Sequence, residues 1–243
     1  MPDNRLQLGY GSAWHLLRCL GWQRNRFTSH VAKSIGVTSI DWLDFPLGGK
    51  DVYPSGMPIR DSEWERINFA SETLKDNYDW PRRGNQQTWD AVGYTTGTNA
   101  ELILVEAKGH PTEISFSGTT ADENGGRPVI RERFRQTLLA CGFTDEVANI
   151  QAENWLTGCY QYANRIATLH FFHTNNIPAR LVFIYFCGDQ HPSGKFCPQS
   201  AKEWAESLNQ VKQRLGLTGK SDLESRIHNV FVDVNTISFG STL

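Results

Sequence analysis

Apolar residues along the chain fall into runs whose spacing changes from helical to extended and back. Trp14, Leu16, Leu17, Leu20, Val31 and Ile35 recur at helical intervals. This spacing predicts one or two helices over 12–35, with Ser12 as the cap and Gly36 as the stop. The Gly- and Pro-rich stretch 40–60 reads as a loop with room for one short strand. Over 61–76, Asp61 or Ser62 can cap a helix, Glu63 and Glu65 suit the positive end of its dipole, and Glu63, Ile67, Ala70 and Leu74 share one stripe. Residues 87–94 alternate, 95–99 (TTGTN) are turn residues, and 101–108 (ELILVEAK) form an apolar, β-branched run. Together they predict a β-hairpin.

Downstream, a short helix is expected at 129–141. A long one is expected at 152–175, where Trp155, Cys159, Tyr162, Ile166 and Leu169 lie on one stripe. The unbroken apolar run 179–187 (ARLVFIYFC) predicts a strand buried on both faces. An amphipathic helix at 199–215, stopped by Gly216, and an alternating strand at 228–234 follow. Mixed helices and strands without an internal repeat or a long linker argue for one α/β domain over 1–243 with a mixed sheet.

Composition narrows the function classes. The 243 residues, 39% hydrophobic and 21% charged, can bury a substantial core, which excludes a disordered chain. A net charge of −2 excludes a highly basic protein that coats nucleic acid. The charge is uneven, however: +4 over 1–35, −8 over 36–125 and +2 over 126–243. No run of about 18 apolar residues occurs, so no membrane partner is expected. Residues 1–5 lack the charged and apolar blocks of a signal peptide, and the five scattered cysteines are an odd number. Both point to reduced thiols and a cytoplasmic location.

The candidate chemistry lies on the hairpin. Asp90 stands on its first strand, and Glu106-Ala107-Lys108 ends its second. Glu106 and Lys108 are two apart and project from one face. Two carboxylates and an ammonium in one small area suit a hard divalent cation. Asp90, Glu106 and the Ala107 carbonyl could supply oxygens to Mg2+, and Lys108 could orient a water or offset developing charge. Glu63, heading the apolar stripe of its helix, could add a carboxylate. Plainer readings compete. Glu106 and Lys108 can be a solvated ion pair, Glu63 a dipole carboxylate, and Gln161 and Arg165 a polar helix edge. Arg127, Arg131, Arg133 and Arg135 can be either a solvated face or a phosphate-tracking edge. Cys187, Asp189, His191 and Cys197 match no common zinc spacing.

Trp89-Asp90-Ala91-Val92-Gly93, the turn, and Leu102-Ile103-Leu104-Val105-Glu106-Ala107-Lys108 resemble the PD-(D/E)xK nuclease superfamily. Trp89 stands where that family's name-giving Pro would be. The resemblance implies a restriction-endonuclease-like fold, a three-layer α/β core with a central mixed β-sheet flanked by helices. Its order of helix, three strands, helix and strand maps onto 61–76, a first strand without an assigned place, 87–94, 101–108, 152–175 and 179–187. The core would span about 60–190, with 1–59 a helical extension and 191–243 a helix–strand extension.

The family's metal roles carry to Asp90 and Glu106, and its water-assisting role to Lys108. The resemblance further implies Glu63 as an extra ligand and Gln161 as a polar group of the second core helix. The cofactor would be Mg2+, with Mn2+ as a substitute. The implied activity is phosphodiester hydrolysis in DNA, less so in RNA. Arg127, Arg131, Arg133, Arg135, Arg165 and His110 are the candidate nucleic-acid contacts, and a homodimer is one arrangement the resemblance allows. Two other readings stay open: a nucleic-acid-binding protein that keeps the fold without cleavage, and a carboxylate-pair glycoside hydrolase with Trp stacking platforms.

Overall fold

The most apolar segments of the chain become its central strands. The computed structural model describes residues 9–43, 62–63, 80, 88–114 and 116–236. The strands are β1 (Ile40–Trp42), β2 (Ser62–Glu63), β3 (Thr88–Trp89), β4 (Ala91–Thr95), β5 (Leu102–Lys108), β6 (Ala179–Cys187) and β7 (Ile227–Asp233). The helices are α1 (Ser12–Trp22), α2 (Arg24–Ile35), α3 (Gly126–Ala140), α4 (Asp145–Gly158), α5 (Tyr160–Thr174), α6 (Ala201–Leu215) and α7 (Asp222–Ser225). Five strands form one mixed sheet in the order β1-β4-β5-β6-β7, and β2 pairs with β3 separately. β4 is antiparallel to both β1 and β5, while β5, β6 and β7 run parallel.

The sheet is covered on both faces, giving three layers. Side chains alternate across it. Ile103, Val105, Ala107, Val182, Ile184, Phe186, Val230 and Val232 pack with Leu16, Phe27, Val31 and Ile35 of α1 and α2. Leu102, Leu104, Leu181, Phe183 and Tyr185 pack on the other side with Phe134, Trp155, Ile166, Leu169 and Trp204 of α3 to α6. This double coverage explains why β5 and β6 read as continuous apolar runs rather than alternating ones. Glu106 and Lys108 share parity with Leu102 and Leu104, so they face the α5 layer.

Several expectations change. At 62–63 the chain is not helical: Ser62 and Glu63 pair antiparallel with Trp89 and Thr88. Long-range pairing overrides the local capping signal there; the rest of 61–76 lies outside the described residues. Ile40–Trp42, within the segment read as an N-terminal extension, is a strand that pairs antiparallel with β4 at one edge of the sheet. That segment also supplies α1 and α2, so it covers a whole face of the sheet. Helix α1 is capped by Gly11 rather than Ser12.

The expected long helix at 152–175 is two helices, broken at Cys159 (φ −155°, ψ 36°). Its cause is a loop. The Leu156 carbonyl accepts from Thr119 N–H (2.8 Å), and Tyr160 N–H donates to the Ser117 carbonyl (3.4 Å), so two groups that would bond each other in a continuous helix bond the loop instead. Gly93 is required by close packing: a Cβ there would lie 2.7 Å from Ile40 Cγ2 and 2.9 Å from the Asp41 carbonyl. All five cysteines are free and buried. No described helix is long and apolar enough to cross a membrane.

Candidate active site

The site begins at a break in the first hairpin strand. Asp90 is not part of a continuous strand; it is the bend between β3 and β4. Its N–H donates to the Val105 carbonyl (3.1 Å), while Ala91 keeps register with Val105. Two residues beyond that pair, the Ala107 N–H donates to Asp90 Oδ2 at 2.6 Å. The carboxylate thus takes the part of a ladder carbonyl and satisfies a backbone donor. Ala107, expected to lend a carbonyl to a metal, meets Asp90 through its N–H.

Glu106, the residue before Ala107, is 4% exposed. Its Oε1 accepts from Lys108 Nζ (2.6 Å) and Gln161 Nε2 (2.8 Å), and its Oε2 accepts from Arg165 Nε (2.8 Å). Gln161 also accepts from Lys108 through its Oε1 (3.1 Å), which closes a ring of Glu106, Lys108 and Gln161. Gln161 and Arg165 are one turn apart on α5, so both reach the site from the layer above the sheet. The Arg165 guanidinium lies over the Trp89 ring, 4.6 Å from its centroid. Trp89, met in the sequence only as a departure from the family's dipeptide, is therefore the platform beneath Arg165. An aromatic beside Asp90 was the available signal for it.

Charge states follow from this network. Burial works to raise the Glu106 carboxyl, but Arg165 and Lys108 together outweigh it and hold the group well below the usual carboxylate range. Burial works to lower Lys108, yet Glu106 and Asp90 outweigh it and keep the ammonium above its ordinary range. The arrangement is two carboxylates and two cations in a largely buried space, open to solvent at half-buried Asp90 and Gln161. Among the described residues, no group of three or more His, Cys, Asp or Glu side chains is set to hold a metal ion. The Glu63 side chain lies outside the described residues; its backbone pairs with Thr88, two residues before Asp90.

The remaining expected contacts lie elsewhere or are engaged. Arg127 pairs with Glu123 (2.9 Å) and Glu153, Arg131 approaches Glu153 (3.6 Å), and Arg135 pairs with Glu132 (2.8 Å) and Asp145. Arg133, also on α3, is half-buried. His110 follows the site strand but is 4% exposed, with Thr112 Oγ1 2.7 Å from its Nδ1 and Glu113 Oε1 3.3 Å from its Nε2. A second buried pair escaped the sequence reading. His15 Nε2 is 2.8 Å from Asp189 Oδ1, off the N–H direction, and Asp189 Oδ2 accepts the Gly11 N–H (2.9 Å) at the start of α1. That pair joins α1 to the end of β6, and nothing in local spacing signals it.

Comparison of the chain with family models, with curated proteins and with solved structures returns no match.

Proposed function

We propose that the protein is a Mg2+-dependent nuclease of restriction-endonuclease-like fold that hydrolyses phosphodiester bonds in DNA. The observation that carries this reading is the buried hydrogen-bonded cluster of Glu106, Lys108 and Gln161, with the Asp90 carboxylate accepting the Ala107 N–H beside it and acting on the Lys108 charge. With β2, β3, α3 and α4 set aside, the order α2, β1, β4, β5, α5, β6 also follows helix, three strands, helix, strand, which supports the reading.

The donor set suits a hard cation. Mg2+ is commonly held by one or two carboxylates, with waters and substrate phosphate oxygens completing its shell. Asp90 and Glu106 would hold it, and Glu63 is the candidate for a further carboxylate. When bound, Mg2+ makes a coordinated water more acidic and polarises the phosphoryl group. The chain's own residues do the rest. The Ala107 N–H fixes the direction of Asp90. Lys108, held by Glu106 and Gln161, would act as an electrostatic and positioning group. Two of its donors hold Glu106 and Gln161, and the third would be offered to the attacking water or to charge developing on the phosphate. Gln161 locks the Lys108 and Glu106 rotamers together. Arg165 neutralises Glu106 from the far side.

The glycoside hydrolase reading gives Lys108 no clear part, and calorimetry showing no Mg2+ or Mn2+ binding would favour it over the nuclease. The test is incubation of single- and double-stranded DNA, and of RNA, with Mg2+ or Mn2+ against an EDTA control. Metal-dependent cleavage that falls at least about 100-fold in Lys108→Ala is expected. Full activity in that variant overturns the mechanism. Salt-dependent binding without turnover would select the non-catalytic nucleic-acid-binding alternative.

A further inference from the structure

The two helices that cover one face of the sheet carry no acid. Residues 9–40, which supply α1, α2 and the turn into β1, contain Arg18, Arg24, Arg26 and Lys33 but no Asp or Glu. The opposite layer differs: Arg127 and Arg135 of α3 are each paired with two carboxylates. Arg18 and Arg24 are fixed by donation to the Val234 (2.7 Å) and Trp42 (3.1 Å) carbonyls. Arg26 and Lys33 are exposed and seven residues apart on α2, so they lie two turns apart on one face. Arg26 stands in the first turn of α2, where the helix dipole disfavours a cation, so helix stability does not account for it. At the end of α1, Trp22 is 69% exposed, the most exposed of the large apolar side chains described.

We propose that the α1–α2 surface binds single-stranded nucleic acid, with a base stacked on Trp22 and backbone phosphates on Arg26 and Lys33. A positive surface that bears an aromatic platform suits an unpaired strand, whose bases are free to stack. An anionic lipid surface fits less well. A helix lying in lipid needs an exposed apolar face, and Leu16, Leu20, Phe27, Val31 and Ile35 are spent against the sheet. The layer also begins at the strand that bears the candidate site: a Cβ on Gly109, the residue after Lys108, would lie 2.8 Å from the Ser12 nitrogen. From Ser12 to Trp22 the helix rises about 15 Å, so a strand held on Trp22 has a short path to the end of β5. The binding surface stands on its own charge and exposed aromatic; its service as a substrate track rests on the nuclease reading above.

The experiment is fluorescence anisotropy of the full chain with a labelled oligothymidylate in EDTA, over a series of salt concentrations. An abasic oligonucleotide of the same length, a blunt duplex and vesicles of phosphatidylserine and phosphatidylcholine are the comparison ligands. Trp22→Ala should weaken oligothymidylate binding about 5–150-fold, the loss of one stacked base, and Trp22→Phe should retain most of the affinity. Neither change should alter binding of the abasic strand or the duplex. The double variant Arg26→Gln, Lys33→Gln should make the log–log salt dependence shallower by about 1.4, for two phosphate contacts on a single strand. Wild-type affinity in Trp22→Ala, or an equal loss on the abasic strand or the duplex, overturns the stacking. An unchanged salt slope in the double variant overturns the phosphate contacts. Wild-type binding to the vesicles but not to the oligothymidylate overturns the nucleic-acid assignment in favour of anionic lipid, and binding to neither overturns the surface altogether. EDTA keeps these outcomes apart from the metal site: loss of the surface leaves the site at Asp90 and Glu106 standing, and absence of metal-dependent cleavage leaves the surface standing.

Discussion

Replacing Glu106 by glutamine changes one oxygen for a nitrogen, keeps the side chain's size and removes its charge. In a nuclease site made only of crowded carboxylates, such a neutralisation would relieve repulsion and stabilise the fold. Here the opposite is expected. Glu106 is 4% exposed and sits between Lys108 (2.6 Å) and Arg165 (2.8 Å), so the variant leaves two buried cations facing an amide. Removing one partner of a buried ion pair typically costs about 3–5 kcal/mol. For a chain of this length, about 1 kcal/mol moves Tm by roughly 2–4 °C, so the loss corresponds to a fall of about 6–20 °C.

The assay is calorimetric or circular-dichroism melting of wild type and Glu106→Gln at several pH values, with EDTA present. The sign with pH is fixed by the depressed carboxyl. Wild type holds the full contribution above about pH 4.5 and loses it as pH falls towards about 2. The gap between the two proteins should therefore be full at pH 7 and narrow below pH 4.5. A variant that melts at or above the wild-type temperature at pH 7 would refute the cation cage around Glu106.

Other expectations follow from single contacts. Asp90→Asn keeps an oxygen that can accept the Ala107 N–H (2.6 Å) but loses the charge that acts on buried Lys108, so stability should fall by about 1–3 kcal/mol while metal-dependent cleavage is lost; urea melts and a cleavage assay on the same preparation check both halves. Gly93→Ala drives a methyl against Ile40 and the Asp41 carbonyl and should cost about 1–3 kcal/mol in a urea melt, with an unchanged melt counting against the close β1–β4 packing. His170 is pulled down to about 4, first by burial and then by His173 and Arg133, so its NMR titration midpoint should lie near there; a midpoint near 6.5 would contradict its burial in the α5 layer.

Much of the architecture is written locally. The run 179–187 becomes β6 with the expected ends, because a strand buried on both faces needs no alternation. Gly216 ends α6 in the left-handed conformation that favours glycine. Misread elements are those set by distant partners. Thr119 and Ser117 split α4 from α5 by taking backbone bonds that helix periodicity assigns within one helix. Ser62 and Glu63 follow Thr88 and Trp89 rather than their own capping pattern. The site divides in the same way. The spacing of Glu106 and Lys108 puts them on one face, and Gln161 and Arg165, one turn apart, were visible as a pair. The contact of Arg165 with Glu106 Oε2 over the Trp89 ring was not, because it depends on how α5 sits across β5. The ladder break at Asp90 is equally hidden, since it shows only once the strand is paired with Val105 and Ala107.

The central claim is that Asp90 and Glu106 hold the metal at which a phosphodiester is cut. It is tested most directly by anomalous diffraction from crystals grown with Mn2+ and a short oligodeoxynucleotide whose N3′-phosphoramidate linkages keep the phosphate charge and resist hydrolysis. A single strong peak between Asp90 and Glu106 Oε2, with a phosphate oxygen completing its shell, is the result expected. A peak elsewhere, or none at this site while the oligonucleotide is bound, would contradict the account.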